Sequence, residues 1–314
     1  MHDQLDVHEH RGFRMVVVPP GFAEATIRRE GEPGRRWVES LPALAAEFLE
    51  RWSCTPSGPL MHGAVGVVIP AVRVDGAEVV VKLGFPLSYN TAEPVALAAW
   101  NGNGAVRLLA RDDSRFALLL ERLRPLRKPE PAPFTAVGRL VRRLAVPAPP
   151  GVPSLAEKAL GWAADVPPHA AQLGSPLPAR VVDAAVANAR DLAVDQPAVL
   201  LHGDLHFGNI LRDDTGQRHD AGLRAVDPTA LVGDPAFELL PLLRGDWPAV
   251  TAEPDLRRAV DRRIAEFAEA AEVDRARVRR WAQARAAESA LWSRRLREPA
   301  PVTAVVDALA ALLV

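Results

Sequence analysis

Cysteine is almost absent. Cys54 stands alone among 314 residues, so no internal disulfide can form, and the chain suits a reducing compartment. Lysine is nearly as scarce: Lys82, Lys128 and Lys158 are the only three, and the other basic residues are arginines. That skew reads as genome composition, and it makes each lysine worth attention. No run of about 18 apolar residues occurs, so no membrane-spanning helix is expected. The stretch Met1-His2-Asp3-Gln4-Leu5-Asp6 lacks the basic-then-apolar order of a secretory signal, and the expected location is the cytoplasm. An excess of either charge is missing as well. Lys and Arg number 38 against 39 Asp and Glu, for a formal net charge of −1. Neither nucleic acid nor an anionic membrane surface is therefore an expected partner. A monomer is expected.

What is present is an ordinary globular composition, with 48% hydrophobic residues, over a length that suits two lobes better than one small core. Leu41, Leu44, Ala45, Phe48, Leu49 and Trp52 recur at helical spacing within 37–52. Two β-branched runs follow, Val65–Val72 and Glu78–Leu83, joined through Asp75-Gly76, a pair that favours the positive φ of a tight turn. A helix from Glu93 to Trp100 and strands at Ala105–Leu109 and Phe116–Leu120 complete a small antiparallel-sheet lobe. The Pro- and Arg-rich segment 121–133 reads as a lobe connection. Phe134–Val146 reads as an amphipathic helix, and the remainder is helical except around 199–228. There Asn209–Arg212 and Leu223–Val226 flank a polar turn containing Asp213, Asp214 and Gly216, a second hairpin signal. The tail supplies helices through Leu256–Phe267, Val278–Arg285 and Val302–Leu312. The expected class is α+β, with residues 1–122 forming an N-terminal helix and a β-rich lobe, and residues 123–314 a helical lobe.

The chemistry concentrates in Leu200-Leu201-His202-Gly203-Asp204-Leu205-His206-Phe207-Gly208-Asn209, followed by Ala225-Val226-Asp227-Pro228. Phosphoryl transfer asks a protein for little covalent work. It needs metal to neutralise phosphate charge, a carboxylate to orient the incoming hydroxyl, and positioned cations. Asp204 can accept the hydroxyl proton. Asn209 offers a carboxamide oxygen and Asp227 a carboxylate, both hard ligands suited to Mg²⁺, and a hairpin between them would bring the two together. Alone, His-Gly-Asp with a later Asn is an ordinary turn; its specificity comes from the second segment. The His202/His206 spacing is not read as a metal site, because no third His or Cys lies nearby and the segment reads as a loop.

These segments resemble the aminoglycoside phosphotransferase family, in particular its streptomycin 6-kinase and hydroxyurea phosphotransferase branch. So do Gly233-Asp234-Pro235-Ala236, Gly34-Arg35-Arg36-Trp37, Leu41-Pro42-Ala43-Leu44, the stretch Ala99 to Leu109, and Leu118 to Leu123. The resemblance covers nearly the whole chain. It implies a protein-kinase-like two-lobed fold and transfer of the γ-phosphate of ATP or GTP, with Mg²⁺, to a hydroxyl of a small cationic drug. It implies Asp204 as catalytic base, Asn209 and Asp227 as metal ligands, Lys82 on the nucleotide phosphates and Glu93 as the partner of Lys82. A solvated strand lysine and a helix-start acid are the plain readings of Lys82 and Glu93. Gly63 and Gly66 mark the expected phosphate-covering turn. Glu121-Arg122-Leu123 falls at the expected hinge, where backbone rather than side chains would meet the base.

For a polycationic acceptor, the candidate contacts are Asp234, Glu238 and Glu288, with Trp292 stacking on a sugar or cation face; Asp246 is a further candidate carboxylate. Asp234 before Pro235 reads equally as a helix N-cap. Arg294, Arg295 and Arg297 would oppose a cation if they faced the cleft. The branch's usual His at the end of the 134–146 helix is replaced here by Leu144-Ala145-Val146. Rival readings are a kinase of the same fold for hydroxyurea or another metabolite, and a nucleotide-binding module without turnover. The module reading is disfavoured by the joint presence of Lys82, Asp204, Asn209 and Asp227. A protein kinase is disfavoured because Asp227-Pro228-Thr229 stands in place of Asp-Phe-Gly and no Ala-Pro-Glu segment follows.

Overall fold

A broken helix, α1 (Pro20–Arg51), opens the described part of the chain, which in this computed structural model comprises residues 17–87, 91–125, 133–213 and 222–314. The helical pattern predicts only the portion from residue 37. The helix extends to Pro20 because Phe22 and Thr26 are buried, and it kinks where Gly31 leaves helical dihedrals just before Pro33. After α1 come β1 (Cys54–Pro56), β2 (Met61–His62), β3 (Gly66–Arg73) and β4 (Glu78–Gly84). Then, after an excursion into the second unit, come β5 (Leu108–Asp112) and β6 (Ala117–Glu121). They form one antiparallel sheet in the order β1-β3-β4-β6-β5, with β2 paired to β3. The expected turn between β3 and β4 is present: Gly76 has φ 83° and the Ala77 amide donates to Asp75 Oδ1.

The two-residue period of β4 decides its faces. Val79, Val81 and Leu83 are buried against the Leu41, Leu44, Phe48 and Leu49 stripe of α1. Each such side chain taken out of water contributes about 1.5–3 kcal/mol. Lys82 falls on the opposite face, in register with Val68 on β3 and Leu118 on β6.

Residues 1–88 and 108–122 form this unit, and 89–107 with 123–314 form the second. Reading 1–122 as one continuous lobe misses this excursion. Within the second unit, α2 (Ala92–Trp100) is anchored by Trp100, whose Nε1 donates to Leu144 O at 2.8 Å. Residues 104–106 hydrogen-bond on both sides of Ala225. The strand expected at Ala105–Leu109 therefore starts only at Leu108, because 105 and 106 already pair elsewhere.

The rest of the second unit comprises β7 (Arg124–Pro125), α3 (Phe134–Leu144), α4 (Leu155–Gln172), α5 (Ala179–Leu192), β8 (Val199–Leu201), β9 (Ile210–Arg212), β10 (Leu223–Ala225) and β11 (Leu231–Gly233). It ends with α6 (Leu239–Gly245), α7 (Trp247–Thr251), α8 (Leu256–Ala271), α9 (Arg275–Arg295) and α10 (Ala300–Leu312). Helix α9 is the axis of the unit. Its buried positions Val278, Trp281, Ala282, Ala284, Ala286, Ala287 and Leu291 occupy nearly its whole circumference, so it must be covered on all sides. Helices α4, α5, α6, α8 and α10 all pack on it. Lys128 and the turn residues Asp214 and Gly216 lie outside the described residues.

Candidate active site

The loop after β8 is shaped by its apolar neighbours. Leu200, Leu201, Leu205 and Ile210 are buried, which fixes the backbone on either side of Asp204 and leaves that side chain 43% exposed. Gly203 sits at φ 84°, a region costly for any residue with a Cβ. An added Cβ would also collide with Thr229 Oγ1. The Gly203 amide donates to Glu238 Oε1 at 2.9 Å, and its carbonyl accepts from Arg285 Nη2 at 2.8 Å.

His206 caps the single 3₁₀ turn Phe207–Asn209 by accepting from the Gly208 amide, and its Nε2 lies 3.8 Å from Asp204 Oδ2. Asn209 closes the loop: its Nδ2 donates to Asp204 O at 3.0 Å. With the nitrogen so used, the carboxamide oxygen is the atom suited to a cation. The β9–β10 hairpin pairs Ile210 with Ala225, and the Val226 amide donates to Asn209 O at 2.9 Å. Asp227, exposed and at φ 59°, thus stands one residue beyond the point where the hairpin meets Asn209. Asp204, Asn209 and Asp227 are brought together at the open end of one hairpin.

His202 completes the assembly. It is buried, stacked on Trp100 at 6.4 Å, with Nε2 donating to Val226 O at 2.9 Å and Nδ1 accepting from the Asp204 amide at 3.3 Å. One neutral imidazole therefore ties the Asp204 loop to the strand that carries Asp227. Burial pushes its pKa down to about 4. Sequence reasoning weighed His202 only as a metal ligand, and the signal for its bridging role is its place two residues before Asp204.

The candidate acceptor residues differ in their surroundings. Asp234 is buried and fully engaged: Oδ1 accepts from the Ala236 amide as a cap, and Oδ2 accepts from Arg277 at 2.7 Å and Trp281 Nε1 at 3.0 Å. Glu238, 1% exposed, lies beneath Gly203, and burial pushes its carboxyl up. Asp246 is ion-paired with buried Arg263. Glu288, one turn along α9 from Arg285, is also pushed up by burial, against the pull of Lys158 and Arg285. Trp292 is 50% exposed, with the Arg295 guanidinium 5.7 Å from its ring centroid. Arg294 pairs with Asp307 on α10, and Arg295 donates to His169 on α4.

In the first unit, Gly63 and Gly66 close the β2–β3 hairpin through the Gly63 amide and Gly66 O, 3.0 Å apart. A Cβ on Gly66 would stand 2.9 Å from Leu83 O, so close strand packing by itself accounts for that glycine. Glu121 ends β6 opposite Val79, and the unit closes at Arg122. In the second unit, Leu123 begins the long C-terminal portion, and Glu93 is buried in the first turn of α2. Arg285 was not anticipated. The signal that could have found it is a lone arginine among Ala282, Ala284, Ala286 and Ala287, where a buried helix face calls for small apolar residues.

Among the described residues no group of three or more His, Cys, Asp or Glu side chains could hold a metal by itself. Two oxygen ligands fit an ion held jointly with phosphate oxygens and water. Among the same residues no helix is long and apolar enough to cross a membrane.

Residues 51–296 match the family described as aminoglycoside/hydroxyurea antibiotic resistance kinase. The chain is 40% identical over 288 residues to a hydroxyurea phosphotransferase of Kitasatospora aureofaciens, covering 88% of this chain and 80% of the relative. It is 35% identical over 285 residues to a streptomycin 6-kinase of Streptomyces glaucescens, covering 89% and 91%. Among solved structures, a Plasmodium vivax ethanolamine kinase superposes with a TM-score of 0.58 at 10% identity, over 95% of this chain and 96% of that one, a likeness of fold alone. The fold is protein-kinase-like, with an antiparallel-sheet lobe and a helical lobe. The chain belongs to the aminoglycoside/hydroxyurea antibiotic resistance kinase family.

Proposed function

We propose that this protein transfers the γ-phosphate of a nucleoside triphosphate, ATP or GTP, to a hydroxyl of a streptomycin-like aminoglycoside, with Mg²⁺ as the metal. The observation that carries the reading is the grouping of Asp204, Asn209 and Asp227 at the end of one hairpin, in a chain 35% identical to a streptomycin 6-kinase. Asp204 orients the acceptor hydroxyl and takes its proton as that oxygen bonds to the γ-phosphorus. The bond to the bridging oxygen breaks, and the nucleoside diphosphate leaves. Asn209 Oδ1 and the Asp227 carboxylate would hold the metal, which supplies charge neutralisation on the phosphates. Lys82 grips the phosphates in ground and transition state alike, with Glu93 as its counter-ion, under the turn at Gly63 and Gly66. The base meets backbone at Glu121–Leu123. Glu288 and Trp292 are the acceptor contacts; Asp234 is occupied by its own partners, and Glu238 is buried beneath Gly203. The enzyme works as a cytoplasmic monomer without nucleic acid.

A second acceptor class, small and uncharged like hydroxyurea, is favoured by one observation. Burial pushes the Glu288 carboxyl up despite Lys158 and Arg285, so its surroundings favour an uncharged carboxyl over a negative one. The deciding experiment measures nucleoside diphosphate release against streptomycin, hydroxyurea and simple amino alcohols, with Mg²⁺ or with excess chelator. Streptomycin-dependent turnover should vanish with chelator and fall on the order of 10²–10⁴-fold in Asp204→Ala. Acceptor-independent hydrolysis alone, or turnover persisting in chelator, refutes the reading.

A further inference from the structure

We infer that Arg285 is a positioning residue for Asp204, acting from α9 through the Gly203 peptide. The inference rests on the reading of Asp204 as the base. Three contacts define it. Arg285 Nη2 donates to Gly203 O at 2.8 Å. The same nitrogen lies 3.7 Å from Asp204 Oδ1. The guanidinium carbon stands 4.3 Å from the centroid of the Phe237 ring, which fixes the plane of the fork. Phe237 is itself clamped between Trp162 and Trp281, so the arginine rests on a rigid aromatic floor. Across the same residue, Glu238 Oε1 takes the Gly203 amide. The peptide units on the two sides of Gly203 are thus held by side chains from opposite directions, Glu238 on the amide and Arg285 on the carbonyl. Gly203 is the residue that most needs holding, because at φ 84° it is free to move to other basins.

The energetics argue for function over stability. Arg285 is only 14% exposed, and burial opposes its charge. Its Nη1 is buried with no hydrogen-bond partner, and Glu238 Oε2 is in the same condition. A buried donor and acceptor left unmet weaken a fold, and a well-packed apolar side chain is often as stable as a buried ion pair or more so. The gain from Arg285 is geometric: Asp204 is the exposed end of a loop whose preceding peptide cannot rotate. Misplacement of a catalytic group by about 1 Å can cost on the order of 10²-fold in rate.

The test is steady-state kinetics of the full-length enzyme with Arg285→Met, Arg285→Lys and Arg285→Ala, beside melting curves. Arg285→Met should lower kcat about 10- to 100-fold while the nucleotide KM stays within about twofold and the melting temperature does not fall below wild type. Arg285→Lys should recover part of kcat, and millimolar guanidinium should raise kcat of Arg285→Ala but not of wild type. Wild-type kcat in Arg285→Met overturns the inference. So does a loss that neither lysine nor guanidinium recovers, since that is the mark of a merely structural residue. If Arg285→Met does not fold, Arg285→Lys decides: a lowered kcat at unchanged KM supports the role, and an unchanged kcat overturns it. Failure of wild type to turn over any acceptor refutes the kinase reading itself and is separate from these results.

Discussion

His202 is held between two backbone groups that use both of its ring nitrogens, and protonation would replace the acceptor at Nδ1 by a second donor. With a folded pKa of about 4 against an ordinary 6.5, the unfolded chain binds more protons across that interval. Stability from this residue is complete above about pH 6.5 and is lost as pH falls toward 4, by an amount on the order of 3 kcal/mol. Glu238 and Glu288 act in the opposite sense, because burial raises their carboxyls and makes the folded state the better proton acceptor above their ordinary range. Denaturant midpoints at pH 7 and pH 4.5 for wild type and His202→Gln separate the two effects. The variant should be less stable at pH 7 and show a smaller loss on acidification. Equal losses in both proteins would mean that His202 does not control the acid limb.

At the scale of elements, Asp234 shows how one carboxylate can be exhausted by structure. It caps the 3₁₀ turn Pro235–Glu238 and pairs with Arg277 and Trp281 on α9. Asp234→Asn keeps a cap acceptor and loses the ion pair; Asp234→Ala loses both. The alanine variant should be the less stable by about 1 kcal/mol, the usual worth of a cap, and neither should change the acceptor KM. Urea denaturation and steady-state kinetics check both statements. The same contrast governs what the sequence makes legible. The hairpin at 209–226 and the Asp75-Gly76 turn are local, written in runs of about ten to twenty residues, so pattern reading finds them. The Asp234–Trp281 bond spans 47 positions and the Arg285–Gly203 bond 82. Such pairings depend on how α9 is buried, which no periodicity encodes. The shift of the strand from Ala105 to Leu108 has the same origin, since its cause is Ala225. The first half of α1 lies outside the apolar spacing that marks 37–52, and the helix reaches it only across the kink at Gly31.

For the whole molecule, the decisive feature is that the chain changes units at 88, 107 and 122. The β5–β6 hairpin is thereby inserted into the second unit's sequence, and its ends lie side by side, with Leu108 opposite Leu120. A chain of 89–107 joined through a short Gly/Ser linker to 123–314 should fold cooperatively, whereas 123–314 alone should not. The shorter fragment lacks Trp100, which is buried and bonded to Leu144, and the residues that pair with Ala225. Circular dichroism melts of the two fragments test this. Equal cooperativity would show that α2 contributes little to the second unit.

The same threading sets a schedule for synthesis. Helix α2 carries buried Ala96, Leu97 and Trp100, yet the strand that receives the segment behind it, through Val106 and Ala225, is made about 120 residues later. At about 5–20 residues per second that is a wait of roughly 6–24 s, during which the helix has left the ribosome with the strand behind it still unmade. Strand β4 waits less, because β6 follows within about 40 residues, or roughly 2–8 s at the same rates. The nascent chain is therefore most exposed to aggregation between the emergence of Trp100 and that of Ala225. Slow codons placed between those two points lengthen that hazard, and slow codons placed after Ala225 do not.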